Sequence, residues 1–281
     1  MSHFQTSDGL SLYYADHPTA NDSGPVVLCL AGLTRNTADF DHVMPHLSGC
    51  RVIAMDYRGR GQSDFDPDHA NYNVMREAQD VIELLDHLGL EQVTILGTSR
   101  GGLLAMMLAA LHKGRLSGVI LNDIGPFVSP TGIARIMEYV GKQPNSKTLG
   151  EAAFALKVMM EPEFPDVSIE RWRHFAAVQH VEIEDGLALS YDAKLRDALI
   201  EQAEAGKAVP DLWPLFMALA GLPAGVIRGA NSDILPAETV TEMAERLPGL
   251  VVGVVPNRGH APFLDEPESL AVIRQVLEAT T

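Results

Sequence analysis

The sequence predicts an α/β protein built on a mostly parallel central sheet of about eight strands, with helices on both faces and a helical lid inserted into the chain. Three observations carry this. Apolar runs at residues 26–30, 51–55, 93–96 and 118–122 lack the alternation of a half-exposed strand and read as strands buried on both faces. Residues 72–88 place Val74, Ala78, Val81, Leu85 and Leu88 at helical spacing and close on Gly89, so strands and helices alternate and the crossovers are right-handed. From Phe127 to about Leu219 that rhythm stops, in helical segments punctuated by Pro144, Pro162, Pro165, Pro210 and Pro214.

Taken in order, residues 3–15 form a hairpin around Ser7-Asp8-Gly9, with Leu10, Leu12 and Tyr14 alternating. Asn21-Asp22-Ser23-Gly24-Pro25 then breaks the chain. The strand at 26–30 ends in Ala31-Gly32-Leu33-Thr34-Arg35, and the one at 51–55 in the polar, glycine-punctuated Asp56-Tyr57-Arg58-Gly59-Arg60-Gly61-Gln62-Ser63-Asp64. The strand at 93–96 runs into Gly97-Thr98-Ser99-Arg100-Gly101-Gly102 and a helix of small apolar residues; the strand at 118–122 ends at Asp123. After the helical segment come a strand at 225–229, a helix at 237–246, a strand at 250–255 and a helix at 267–277. This divides the chain into a core, 1–126 with 217–281, and a lid, 127–216. The lid's Met137, Tyr139, Phe154, Met159, Met160, Trp172 and Phe175, with Trp213 and Phe216 at its exit, read as lid core.

With 46% apolar and 21% charged residues, the 281-residue chain has an ordinary globular composition. Its net charge of −16 argues against a nucleic-acid partner or an anionic membrane surface. The N-terminus lacks the basic start and apolar stretch of a secretory signal, and no apolar run approaches the ~18 residues of a membrane span. A cytoplasmic protein, free to form a homo-oligomer, is the expectation. Cys29 and Cys50, each in or beside a strand, read as buried thiols; nothing has metal-ligand spacing or points to a cofactor.

Chemistry concentrates at Ser99. A serine hydroxyl is a poor nucleophile and needs a base and a set of oxyanion donors, toward which a sharp strand-to-helix turn projects it. Glycine suits positions 97 and 101 because strand and helix pinch together there. Among the ten histidines, His260 stands in a loop just after a late apolar strand, on the sheet edge where Ser99 must lie, whereas His42, His46, His87 and His112 fall on helices or their ends. Two acids follow strands on that edge. Asp233, between the lid and the histidine strand, is assigned to orient His260, with Asp123 in reserve; the order nucleophile, acid, histidine permits either. Backbone N–H groups of Arg100 and Leu33 are assigned to the oxyanion hole. Arg35 and Arg58 are candidate contacts for a substrate carboxylate, and Arg100 a third cation near the site.

These motifs, with Arg228-Gly229 leading to Asp233 and Gly259-His260 followed by Pro262-Phe263-Leu264-Asp265-Glu266-Pro267, resemble the α/β-hydrolase fold family, in particular its lid-bearing esterases, lactonases and carbon–carbon bond hydrolases. The resemblance covers essentially the whole chain outside the lid. It implies a cofactor-independent serine hydrolase acting on a small-molecule ester or lactone through an acyl-enzyme, and it supports Asp233, since the family's acid most often follows the seventh strand. Hydrolysis of a carbon–carbon bond in a vinylogous diketone acid is the alternative chemistry, and a hydrolase-like binding protein the alternative class. Ala31-Gly32 stands where relatives usually carry His-Gly, and a serine at the elbow argues against the dehalogenases and epoxide hydrolases of this fold, which use aspartate.

Overall fold

A computed structural model describes residues 2–19, 24–205 and 211–280. Asn21, Asp22 and Ser23 of the expected chain break, and Pro210 of the lid, lie outside these residues. Strands β1 (Ser2–Gln5) and β2 (Ser11–His17) form the antiparallel hairpin expected around Ser7-Asp8-Gly9, with Phe4 opposite Leu12. They are followed by β3 (Val26–Leu30), β4 (Arg51–Met55), α1 (Val74–His87), β5 (Val93–Thr98), α2 (Arg100–Leu111) and β6 (Leu116–Asn122). Asn73 caps α1 by accepting the Arg76 amide at 2.9 Å. After the segment expected to form the lid, β9 (Ala224–Gly229), α8 (Ala237–Arg246), β10 (Val251–Val255) and α9 (Pro267–Glu278) complete the sheet and its helices.

The eight strands form one sheet in the order β1-β2-β4-β3-β5-β6-β9-β10, parallel from β4 to β10. The buried strands alternate between two apolar layers. Leu28 and Leu30 of β3 face one layer, packed with α1, α2 and α8, and Val27 and Cys29 face the other, packed with α9 and Phe40, Val43 and Leu47. The chain moves from β3 outward to β4 and then returns to the other side of β3 as β5. The carboxyl ends of β3 and β5 are therefore the point where strand order reverses, which is where open α/β sheets open a crevice.

The region between β6 and β9 holds α3 (Pro130–Tyr139), α4 (Leu149–Met160), α5 (Ile169–Gln179), a two-stranded hairpin of β7 (His180–Ile183) and β8 (Gly186–Leu189), α6 (Leu195–Ala205) and α7 (Trp213–Met217). The hairpin is an addition to the all-helical expectation. A signal was present in the sequence: Val181 and Ile183 alternate with Glu182 and Glu184 ahead of Gly186, which opens β8 at positive φ directly after the two-residue turn. Of the aromatic and methionine residues expected to form the lid core, Trp172 is buried among Phe164, Ala176, Leu187 and Phe263. Phe216 instead joins the main core beneath the sheet, and Phe154 and Met159 are exposed.

Arg58 corrects the expectation that it contacts substrate. Its guanidinium is wholly buried and held by three carboxylates: Asp80 at 2.6 and 2.7 Å, Asp66 at 2.5 Å and Asp8 at 2.9 Å. It ties the hairpin to α1 and does not line the cleft that holds Ser99. Burial opposes ionisation of Asp8, but hydrogen bonds from Arg58 and Thr6 and the charges of Arg58 and Arg76 outweigh it, holding the carboxyl at about 2. The Asp8 contribution to stability is thus complete above its ordinary value of 3.8 and is lost as pH falls through 2. Two outcomes follow for urea denaturation. Arg58→Ala, which strands buried carboxylates, lowers stability by about 3–5 kcal/mol, and Asp8→Asn flattens the dependence of the midpoint on pH between about 4 and 2.

Candidate active site

The turn between β5 and α2 places Ser99 at φ 50° and ψ −108°, a conformation that L residues seldom adopt. Packing enforces it. A side-chain carbon on Gly97 would lie 2.5 Å from the Gly101 backbone, and one on Gly101 would overlap the Leu30 carbonyl of β3. The Ser99 amide donates to Asn122 O of β6 at 2.9 Å and the Gly101 amide to Ala31 O at 3.1 Å, so the turn is anchored to both neighbouring strands.

His260, in the loop after β10, reaches Ser99 with its Nε2 2.9 Å from Oγ. Its Nδ1 lies 2.8 Å from Oδ2 of Asp123. With the proton on Nδ1, His260 donates to Asp123 and accepts from the Ser99 hydroxyl. The histidine loop is held by Asn122, whose amide donates to Pro262 O and to Thr98 Oγ1, each at 3.0 Å.

The acid next to His260 is therefore Asp123, and the assignment of Asp233 is corrected. The strand order explains the difference. In register, Thr98 of β5 pairs with Asn122 of β6, and Asn122 with Ile227 of β9, so the residue after β6 emerges beside Ser99 and beneath the exit of β9. Asp123 has no exposed surface and accepts from the Gly229 amide at 2.8 Å and from Ser232 Oγ at 2.5 Å, besides His260. The β9 loop does neighbour the histidine loop, as expected, but it contributes donors to Asp123 and turns Asp233 outward to the cap. There Asp233 pairs with Arg135 of α3 at 2.8 Å, while Arg135 also holds Glu163. Burial raises the Asp233 carboxyl above its ordinary value, with the Arg135 charge acting against it.

Leu33 follows β3 and Arg100 opens α2. Neither amide has an acceptor among the described residues, and a side-chain carbon added to Gly32 would lie 3.9 Å from the Ser99 Cβ. Both are free to meet an oxygen next to Ser99. The Arg100 side chain is not at the site: its Nε donates to buried Glu77 at 2.7 Å, which corrects its reading as a cation available to substrate. Arg35 is at the site. It lines a cleft with Ser99, His260, Leu33, Ile136, Tyr139 and Phe175, its guanidinium lies 4.4 Å over the Phe175 ring, and one nitrogen rests on Asp39 at 3.1 Å. Among the described residues no group of three or more His, Cys, Asp or Glu side chains is placed to hold a metal ion, and no helix is long and apolar enough to cross a membrane.

The parts played by Ser232, Gly229, Glu77 and Arg60 escaped the sequence reading, although Gly229 and Arg60 stood inside its motifs. Glu77 carried a signal: it lies four and seven residues before Val81 and Leu84, on the buried stripe of α1, where a charge needs a partner.

A strand-to-helix turn presenting a serine, a histidine from the last strand's loop and a buried acid define the class of α/β proteins built for hydrolysis. Residues 25–267 match the alpha/beta hydrolase fold, and the chain belongs to that family. It is 37% identical over 271 residues to a 3-hydroxybutyrate-oligomer hydrolase of Cupriavidus necator, covering 93% of this chain and 91% of the relative. It is 25% identical over 260 residues to a 2-(acetamidomethylene)succinate hydrolase of Mesorhizobium japonicum, covering 92% and 89%. The crystal structure of an alpha/beta hydrolase from Novosphingobium aromaticivorans superimposes with a TM-score of 0.90 at 42% identity, over 99% of this chain and 97% of that one. The protein is a hydrolase.

Exchanging each acid for its amide separates the two aspartates. Asp123→Asn lowers kcat for a chromogenic ester about 10⁴-fold by leaving His260 in the wrong tautomer, whereas Asp233→Asn costs less than about tenfold. The reverse ranking returns the role to Asp233.

Proposed function

We propose that the protein is a serine hydrolase that cleaves carboxylic esters through an acyl-enzyme on Ser99. The observation that carries this reading is the continuous series from Ser99 Oγ through His260 to buried Asp123, at 2.9 and 2.8 Å, beside two amides with no acceptor among the described residues. Ser99 Oγ attacks the ester carbonyl as His260 Nε2 takes its proton, and Asp123 stabilises the imidazolium. The Leu33 and Arg100 amides hold the oxyanion. His260 then returns the proton to the leaving alcohol oxygen, and water, activated by the same histidine, releases the acid and restores Ser99.

The substrates proposed are short esters of hydroxyacids that end in a free carboxylate. The likeness to the oligomer hydrolase of Cupriavidus necator, over nearly the full length of both chains, favours esters over carbon–carbon bonds. Arg35 supports an acidic end group. Its Nε and Nη2 have no hydrogen-bond partner among the described residues, its ring partner Phe175 fixes the guanidinium plane, and its Cγ and the Ser99 Cβ both lie within 4 Å of one point above Gly32. A carboxylate held there keeps the neighbouring ester within reach of Ser99.

Purified protein is expected to react with a fluorophosphonate probe and to hydrolyse p-nitrophenyl butyrate and the linear dimer of 3-hydroxybutyrate, and Ser99→Ala to do none of these. Unlabelled native protein without turnover would leave a binding protein as the surviving reading. Arg35→Gln raises KM for the acidic dimer at least about tenfold while changing KM for neutral p-nitrophenyl butyrate less than about twofold; equal effects on both esters remove Arg35 from carboxylate recognition.

A further inference from the structure

We propose that Glu77 is a positioning residue for the oxyanion hole, acting through a buried Arg60–Glu77–Arg100 cluster that ties both amide-bearing segments of the hole to one carboxylate. The inference rests on the serine-hydrolase reading and adds to it the device that sets the spacing of the two donors.

The three side chains come from three elements: Arg60 from the loop after β4, Glu77 from α1 and Arg100 from the start of α2. Arg60 and Glu77 have no exposed surface, and Arg100 is buried. Arg100 Nε donates to Glu77 Oε2 at 2.7 Å, and Arg60 Nη1 lies 2.8 Å from Glu77 Oε1. Arg60 Nε then donates to the Leu33 carbonyl at 3.0 Å, and Nη1 to the Arg58 carbonyl at 2.6 Å. One end of the cluster thus grips the backbone of Leu33, and the other end is the side chain of Arg100, whose own amide is the second donor. Ser99, His260 and Asp123 make no hydrogen bond to any of the three.

The physical need is specific. An oxyanion hole works only if its donors are already placed for the tetrahedral oxygen, so that no reorganisation accompanies the reaction. Arg100 is placed by α2, but Leu33 lies in a loop whose backbone has no strand partner beyond Leu30. A planar guanidinium hydrogen-bonded to the Leu33 carbonyl and itself held by a buried carboxylate removes that freedom. Burial acts to raise the Glu77 carboxyl, but the charges of Arg100 and Arg60 outweigh it and hold it below its ordinary value, so the bridge stays ionised. Without the carboxylate, two guanidinium groups would face each other in a site that excludes water, and their separation would carry the Leu33 segment with it.

The test uses the full chain with p-nitrophenyl butyrate, rates being normalised to the fraction of Ser99 labelled to completion by fluorophosphonate. Glu77→Gln and Arg60→Lys are each expected to lower kcat at least about tenfold with KM within about twofold, the signature of an interaction made in the transition state. The pH dependence of kcat/KM keeps its shape, because the histidine and its acid are untouched, and Glu77→Asp recovers part of the loss. A residue that only stabilises the fold would lower Tm and leave kcat per labelled site at the native value; that result in the two variants overturns the inference. Should Glu77→Gln fail to fold, Arg60→Lys, which keeps the charge and loses the fork, decides it. Native protein that neither labels nor turns over removes the serine-hydrolase reading and this inference together, whereas active native protein with unaffected variants removes the inference alone.

Discussion

The Asp123 carboxylate has no exposed surface, and the site is arranged around that fact. A buried carboxylate must find its hydrogen bonds inside the protein or give up its charge. Here the donors come from two directions: the Gly229 amide and Ser232 hydroxyl at the exit of β9, and His260 from the loop after β10. Satisfying one side chain therefore fixes the relative position of three loops. Ser99 completes the set from the fourth, held by its amide to the β6 residue that precedes Asp123. Local strain serves the same end, since both Ser99 and Asp123 sit at positive φ, at 50° and 55°, and keep it because packing and hydrogen bonds over-determine them.

The arginines of the loop after β4 show how residue type underdetermines role. Arg58 and Arg60 are two residues apart in one polar motif, and both end in the interior. Arg58 gathers Asp8, Asp66 and Asp80 and closes the hairpin side of the sheet. Arg60 reaches Leu33 and Glu77, one turn of α1 before Asp80. Arg35, one strand earlier, stays at the cleft because Phe175 of the cap and Asp39 support it there without enclosing it. Buried ion pairs add little net stability, but removing one partner costs much, so they suit the specification of geometry.

The segment between β6 and β9 meets the core through polar links, among them those of Asp233 and Asp265, and through apolar contacts that include an aromatic cluster. Arg135 reaches Asp233, Arg171 reaches Asp265 at 2.6 Å, and Phe263 of the histidine loop enters the Phe164, Trp172 and Phe175 group. The loop that carries His260 is thereby packed from above by the same element that closes the cleft.

Periodicity and turn chemistry made the sheet, its crossovers and the strand-to-helix turn at Ser99 legible in the sequence, because these depend on residues near one another in the chain. His260 was legible as well, since a histidine in a loop after a late parallel strand can only emerge on the Ser99 edge. The acid was not. Asp123 and Asp233 both follow strands on that edge, and choosing between them requires knowing that β6 lies between β5 and β9 and that the β9 exit curls so that Ser232, not Asp233, faces inward. The fates of Arg58, Arg60 and Arg100 were hidden for the same reason: their carboxylate partners are from 8 to 50 residues away, and burial, which decides whether an arginine meets substrate or a carboxylate, is a property of the packed molecule. The chain by itself determined the elements of the core and where Ser99 stands; the tertiary structure decided which charges meet, because that depends on distances in space between residues far apart in sequence.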